Sequence, residues 1–466
     1  MNFIEKVKDT ISKYNMLSPK DRVLVCVSGG SDSVSLLYAL NSIKEELGIT
    51  LHIAHLNHML RKEALKDEIF VKNLARNLKI PVTLERRDIL KISKKDKSSI
   101  EDKARQIRYK FFLKTAKSKR LNKIAVAHTR DDQAETVLMR LIKGAGPRGL
   151  CGIPPKRRFD GTYIVRPLIE TGKREILNFL NEEKIPYRLD KTNLKNIYLR
   201  NRIRNLLLRD LQDNFNPNIK EILANVSIEV TKAYDFLHLR ARQVFKKISQ
   251  FKENELILNL SKLLKYHDAI KSEVVRIAIE KKKGDLNKIT YKNWEDLEYL
   301  INYGKTGGAV DIPGLTVVKD YGRLVFKQGK IKKQKERIWR LKTPGRTVIK
   351  ELRVKFETLI LKRIPPFFKS KDKTAEYLDY SNLKFPLFIR TRREGDRFKP
   401  LGMGIEKKLQ DFFVDEKISR YKRDSIPLVI SGGKIIWVVG LRISDSVKLT
   451  PKTKKILCIR YEELQG

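Results

Sequence analysis

The chain has 466 residues, with 100 lysines and arginines against 55 aspartates and glutamates, a formal net charge of +45. Such a length exceeds one comfortable core and implies two or three domains, and the charge excess implies a polyanionic partner, since each cation that neutralises a phosphate releases a counterion. Three cysteines, Cys26, Cys151 and Cys458, form no Cys-x-x-Cys pair and so exclude a disulfide framework or a zinc site. No run approaches a membrane-spanning length, and Met1 to Tyr14 spaces Phe3, Ile4, Val7 and Ile11 on one helical face with both charge signs, unlike a signal peptide. A cytoplasmic protein with no membrane partner is expected.

The first strand is Val23 to Val27, too short for a helix and rich enough in valine for a buried parallel strand. It runs into Ser28-Gly29-Gly30-Ser31-Asp32-Ser33, and helical spacing resumes from Ser33 to Leu40. Glycines at a helix N-terminus let backbone N–H groups approach phosphate oxygens, and the unpaired amides there favour negative charge. Ser28, Ser31 and Ser33 can donate hydroxyls. Asp32 would repel phosphate unless a cation bridged them, which points to Mg²⁺ held jointly by carboxylate and phosphates. A Walker A loop would carry a lysine here for γ-transfer, and none is present. Gly304-Lys305-Thr306 has Tyr299 where that pattern needs glycine and reads as a turn.

A second strand, Leu51 to His55, opens into His55-Leu56-Asn57-His58-Met59-Leu60-Arg61. Two histidines three apart, without cysteine or acidic partners, make poor zinc ligands, so nucleotide or polyanion contacts are the favoured reading. After a third strand, Pro81 to Leu84, Ser98-Ser99-Ile100-Glu101 fits a capping box. Arg105 and Arg108 follow on the face of Glu101, as a salt-bridge ladder or a phosphate clamp. A fourth strand, Ile124 to His128, leads into His128-Thr129-Arg130-Asp131-Asp132-Gln133-Ala134-Glu135-Thr136. A capping box of Thr129 and Asp132 explains Asp132 but not Glu135, and a carboxylate pair on one helical face suits an ammonium ligand. Gly144 to Leu150 supplies a tight turn, and Ile164 to Leu168 a fifth strand. Beyond Asp190-Lys191-Thr192-Asn193, Arg200 and Arg204 share a helical face, either as part of a solvated basic helix or in contact with charge developing at an α-phosphate.

Strands alternating with helices to about residue 190 predict a doubly wound, mostly parallel α/β sheet whose ligands sit beyond the strand carboxyl ends. Asn216-Pro217 marks a break, after which Ile219 to Ile248 reads as a long amphipathic helix. The expected division is a catalytic α/β domain over 1–215, a mainly helical domain over 216–330, a linker and β region over 331–384 containing part of the lysine-rich Lys327 to Lys335 stretch, and a small α+β domain over 385–466.

The Ser-Gly-Gly-Ser-Asp-Ser junction resembles the PP-loop of the N-type ATP pyrophosphatases, with their adenine nucleotide alpha hydrolase-like fold, which implies cleavage between the α- and β-phosphates. Together with His55 to Arg61, Arg105 to Tyr109, His128 to Thr136, Gly144 to Gly152 and Arg200 to Arg204 in this order, it is similar to the bacterial tRNA(Ile)-lysidine synthetases. The C-terminal segments Arg392-Arg393-Glu394-Gly395-Asp396-Arg397, Lys407 to Phe413, Lys417-Ile418 and Ile436 to Gly440 resemble that family's tRNA-binding tail. Ser419 departs from the proline expected after Lys-Ile.

The resemblance implies adenylation of O2 of the wobble cytidine in a CAU-anticodon isoleucine tRNA, then displacement of AMP at C2 by free L-lysine. ATP would lie on Ser28 to Ser33, His55, Arg105 and Arg108, with Mg²⁺ on Asp32. Asp32, His128, Arg200 and Arg204 would act at the reacting phosphate, and Asp132 and Glu135 would bind lysine. Arg61, Arg392, Arg393, Arg397, Lys407, Lys408 and Lys417 would hold tRNA. A homodimer is compatible with this. The competing readings are a PP-loop tRNA thiolase and a non-catalytic tRNA-binding protein.

Overall fold

The valine-rich first run forms β1 (Arg22–Cys26), and its alternating side chains feed two different cores. Val23 and Val25 join one apolar cluster with Val34, Leu37 and Ile53, while Leu24 and Cys26 join another with Ala54, Phe111 and Phe112. A strand apolar on both faces needs cover on both, which is why the run does not alternate with polar residues. The computed structural model describes residues 2–59, 64–89, 91–92, 100–188, 199–252, 255–329, 337–363 and 374–464. They gather into two units, Met1–Phe236 and Leu237–Gly466.

In the first unit β1 lies between β2 (Thr50–Asn57) and β4 (Lys123–Ala125), with β3 (Val82–Arg86) outside β2, and β6 (Thr162–Val165) and β5 (Lys156–Phe159) outside β4. All pairings are parallel except the β5–β6 hairpin. The expected doubly wound sheet is therefore present. Strand order reverses between β1 and β4, so the crevice outside their carboxyl ends is the ligand position of an open α/β sheet. Helices α1 (Phe3–Lys13), α2 (Ser31–Ile43) and α3 (Ala64–Asn77) contribute to one core and α4 (Ile100–Ser118) to the other.

Several strand readings shift, and the fourth strand ends at Ala125, so His128 lies three residues beyond it and not at its end. His55 sits inside β2 and not at its end, because pairing with β3 continues as far as Asn57 opposite Arg86. The fifth expected strand begins earlier, as β6, and pairs with β5, whose exposed Arg157 and Arg158 mask its β character.

Helix α5 (Arg130–Ile142) starts on Thr129, whose side chain accepts the Asp132 N–H while the Asp132 carboxylate accepts the Thr129 N–H, the expected capping box. Its middle residues organise the glycine-rich turn that follows. Gln133 Oε1 accepts the Ile153 N–H at 2.6 Å, and Arg140 donates to the carbonyls of Gly149 and Gly152 at 2.7 and 2.8 Å. Gly152 has a φ of +65°, and a Cβ there would lie 2.4 Å from Gln133 Oε1.

A break at Asn216-Pro217 precedes α6 (Ile219–Ile248), within which the boundary between the two units falls. In the second unit, the segment expected to be mainly helical holds α7 (Asp268–Lys283) and α8 (Tyr291–Asn302) against a five-stranded sheet. Two of its strands, Ser249–Lys252 and Glu255–Asn259, follow α6 directly and were not expected. The stretch expected as a linker and β region contributes Ile338–Leu341 to a sheet with Leu387–Arg390, and Val354–Leu361 to one with Ile456–Glu463. The C-terminal core is thus assembled from both segments. No helix among the described residues is long and apolar enough to cross a membrane.

Gly152→Ala combines a left-handed backbone position with a steric conflict against Gln133. It should lower the thermal midpoint of the first unit by several degrees, as expected for a loss of about 1–3 kcal/mol, while Gly144→Ala, which meets nothing within 4 Å, should cost less; differential scanning fluorimetry of the two variants checks the order.

Candidate active site

The turn after β1 is folded by its own hydroxyls. The Ser28 N–H donates to Ser33 Oγ at 3.1 Å, and Ser33 Oγ donates to the Gly30 carbonyl at 3.0 Å. Ser28 Oγ lies 3.1 Å from Ser33 Oγ. Two of the three serines expected to face phosphate therefore spend hydrogen bonds holding the loop. Gly29 takes a φ of +95°, and a Cβ there would meet only ordinary contacts, the nearest Phe70 at 3.6 Å. Backbone handedness, more than space, is what requires glycine at that position. Gly30 is the N-cap of α2, with Ser31, Asp32 and Ser33 in its first turn, so amides without intrahelical acceptors face the crevice beside the positive end of the helix dipole.

Lys173, a residue the sequence reading passed over, closes on this turn. Its ammonium donates to Ser31 Oγ at 2.6 Å and pairs with the Asp32 carboxylate. Its own N–H donates to Asp131 Oδ2 at 2.8 Å, and Asp131 also pairs with Lys220 at 3.0 Å. Lys173 begins the helix Lys173–Glu182 just after Thr171-Gly172. A Gly-Lys at the start of a helix behind a parallel strand is the signal that could have found it.

The three histidines of the crevice have definable tautomers, because each has a partner that can only donate or only accept. His55 Nδ1 donates to the Val27 carbonyl at 2.9 Å, leaving Nε2 a buried acceptor without a partner. His58 Nε2 accepts from Arg108 at 3.3 Å, leaving a buried Nδ1–H unpartnered. His128 Nδ1 accepts from Arg166 Nε at 3.1 Å, which assigns its proton to Nε2. Burial, with the Arg166, Arg200 and Arg105 charges outweighing the pull of Asp132, pushes the His128 pKa down to about 3. Burial and Arg108 push His58 down to about 4, and burial lowers His55. All three are neutral imidazoles at physiological pH. Arg166, only 2 % exposed, also donates to the Pro154 carbonyl at 2.6 Å. A lone arginine in an otherwise apolar strand end was its sequence signal.

Beyond α5, the helical segment Leu199–Arg202 passes through a π turn, Ile203–Leu207, into Leu208–Asn214. Such turns recur at functional sites, and this one carries Arg204. Arg200 donates to Glu135 Oε2 and Asp132 Oδ1, both at 2.8 Å. Arg204 donates to Glu135 Oε2 at 2.9 Å, pairs closely with Oε1, and reaches Asp132 Oδ1 at 3.4 Å. The two residues expected to bind lysine and two of those expected at the α-phosphate thus form one ion-pair quartet. The Glu135 side chain is only 1 % exposed. Burial opposes the charge on Asp132, yet the Arg200 guanidinium holds its carboxyl below the usual range. Asp132 and Glu135 raise both guanidiniums still higher against burial.

Arg105 is exposed, over the Tyr109 ring at 5.2 Å. Arg61, Ser98, Ser99 and the Asp190 to Tyr198 stretch lie outside the described residues, as does the side chain of Glu101.

In the second unit Arg390, missed in the sequence, forks onto Asp396 with two bonds of 2.7 Å, and Asp396 also accepts the Arg393 N–H at 2.7 Å. That fork shapes the Arg392 to Arg397 turn. Arg392 pairs with Asp424 at 2.5 Å and Lys407 with Asp415, whereas Arg393, Arg397, Lys408 and Lys417 are exposed. Ser419 stands at the N-cap position of a short helix, and its hydroxyl donates to Asp320 at 2.5 Å without capping the helix.

Residues 2–211 match the model of a PP-loop domain, and residues 387–460 that of the TilS substrate C-terminal domain. A tRNA(Ile)-lysidine synthase of Caldanaerobacter subterraneus subsp. tengcongensis is 37% identical over 98% of this chain and 97% of its own. One of Clostridium perfringens is 36% identical over 98% and 99%. A U34-tRNA thiolase from Methanococcus maripaludis, with its [4Fe-4S] cluster, is 16% identical over 49% of this chain and 78% of that chain, with a TM-score of 0.42.

Below about pH 6.5 an unfolded chain takes up a proton on histidine that the folded His128, with its pKa about 3, does not accept. The unfolded state then binds more protons, so stability is lost as pH falls from 6.5 toward 3. Thermal melts across that window should show His128→Asn, whose amide oxygen can accept from Arg166, with a shallower decline than wild type; parallel declines would contradict the neutral buried imidazole.

Proposed function

The chain belongs to the tRNA(Ile)-lysidine synthase family, and from that premise we propose how its residues divide the reaction. The protein is an ATP-dependent carbon–nitrogen ligase that attaches lysine to C2 of the wobble cytidine of the CAU-anticodon isoleucine tRNA through an adenylated cytidine. ATP yields AMP and pyrophosphate, and the product, lysidine, reads AUA in place of AUG. The observation that carries the residue assignment is the adjacency of β1 and β4, which sets the Ser28 to Ser33 turn beside His128, Asp132 and Glu135 at the strand-order reversal.

In the first half reaction the amides at the start of α2 take the phosphates, and His128 Nε2–H donates to an α-phosphate oxygen as a neutral hydrogen-bond donor. Its low pKa rules it out as a general acid near neutrality. His55 Nε2 offers an acceptor and His58 Nδ1 a donor to the nucleotide or the extruded cytidine, which would satisfy both orphaned atoms. Arg105 and Arg108 lie on the same wall. Asp32 is the carboxylate suited to Mg²⁺. Bound there, Mg²⁺ would neutralise phosphate charge.

In the second half reaction Asp132 and Glu135 receive the ammonium of lysine as Arg200 and Arg204 transfer to the phosphate of the adenylated base. Such an exchange of partners would offset part of the charge left on each side, most importantly at the buried Glu135 carboxylate. The depressed pKa of Asp132 suits an electrostatic anchor and not a base. Arg393, Arg397, Lys408 and Lys417 are exposed cations that would meet tRNA phosphates, and Arg392 and Lys407 are ion-paired with Asp424 and Asp415. The enzyme would act in the cytoplasm, where its substrate tRNA resides. Thiolase chemistry finds no support in the three cysteines: Cys26 and Cys458 are buried, Cys151 is half-buried, and burial pushes all three thiols up.

Labelled lysine, ATP and CAU-anticodon tRNA incubated with the enzyme should give tRNA-bound lysine label; sulfur incorporation without lysine label would overturn the reading. Asp32→Ala should abolish adenylation with tRNA affinity retained. Glu135→Gln should raise the KM for lysine by about tenfold or more, the loss expected for one charge-assisted hydrogen bond, while adenylation measured without lysine persists.

A further inference from the structure

We propose that Lys173 is the pyrophosphate-holding residue of this enzyme, supplying from a distant helix the cation that a Walker-type loop carries within itself. The inference rests on the adenylation reading above. The turn from Ser28 to Ser33 contains no lysine, yet the ammonium of Lys173 lies 2.6 Å from Ser31 Oγ and pairs with Asp32 Oδ1, both in the first turn of α2. It therefore stands at the mouth of the cradle, with its side chain 43% exposed and open to an incoming ligand.

Its backbone is fixed independently. Lys173 N–H donates to Asp131 at 2.8 Å, and Asp131 belongs to the first turn of α5 after β4. One residue thus ties the helix behind β1 to the helix behind β4, with its ammonium at the former and its amide at the latter.

In adenylation cytidine O2 bonds to the α-phosphorus, and the bond from that phosphorus to the α,β-bridging oxygen breaks, its electron pair leaving with pyrophosphate. Negative charge grows on the β- and γ-phosphates during this step. The Lys173 ammonium, released from Asp32 as the cation-bearing nucleotide enters, is placed to take that charge, and AMP, which lacks those phosphates, does not engage it. Lys173 is then a catalytic residue for leaving-group departure, and Asp131 is the residue that positions it.

The test uses the full chain and three probes. Inorganic pyrophosphate and AMP are titrated, in the presence of Mg²⁺, into wild type, Lys173→Met and Lys173→Arg by calorimetry, and tRNA-dependent release of pyrophosphate from ATP is measured for each. Lys173→Met should weaken pyrophosphate binding by about 10- to 100-fold, the range for a lost charge-assisted contact, and slow pyrophosphate release, with AMP binding changed less than about twofold. Lys173→Arg should retain most of both. Pyrophosphate binding equal in wild type and Lys173→Met, or undetectable in wild type, would overturn the proposal, as would a Lys173→Met protein that weakens AMP binding equally. Wild type that releases no pyrophosphate with tRNA present would instead overturn the adenylation reading beneath it.

Discussion

Two guanidiniums held against two carboxylates, with Glu135 almost fully buried and Arg204 still 39% exposed, set the terms for everything around them. Stranding a buried charge such as that of Glu135 costs about 3–5 kcal/mol, and less where the group stays in water as Arg204 does, whereas replacing a buried set with apolar side chains is often neutral or stabilising. Stability alone therefore gives no reason to place Arg200 and Arg204 on Asp132 and Glu135. A reaction that brings in a triphosphate and later a lysine does give one. In the structure the quartet pairs each of its charges with a partner of opposite sign, and on the proposed reading the substrates would take the places of its members.

The same logic runs through the turn after β1. Asp32 at a helix N-terminus is favourably placed with respect to the dipole, and Lys173 covers its charge. The histidines take the opposite role. His55, His58 and His128 are neutral and pinned in single tautomers by Val27, Arg108 and Arg166, so they offer directed hydrogen bonds without adding net charge to a site already dense with it. Sheet topology is what makes this economy feasible: only at the reversal of strand order do the ends of β1 and β4 stand side by side with their following helices pointing into one space.

Much of this was legible locally. The apolar run of β1, the glycine turn, the Thr129 capping box and the limits of the Ile219–Ile248 helix are written in short windows of sequence, since burial periodicity and cap chemistry act over a few residues. Strands carrying exposed polar residues were harder. The β5 strand with its two arginines and the Ser249–Lys252 strand lack an apolar run, and their pairing partners decide their conformation. Side-chain partnerships were not legible at all. Arg200 and Glu135 lie 65 residues apart and Lys173 and Asp32 lie 141 apart, and nothing in the spacing of either residue announces the other. For that reason Asp132 and Glu135 read as a vacant ammonium site, when in the fold they are already occupied by arginine.

The central claim is that the turn between β1 and α2 directs attack to the α-phosphorus. It is tested most directly by supplying ATP labelled at the α-phosphate to the enzyme with CAU-anticodon tRNA and withholding lysine. The account predicts label retained on the tRNA and released as AMP when lysine is added. Label recovered as ADP, with orthophosphate formed from the γ-position, would contradict it.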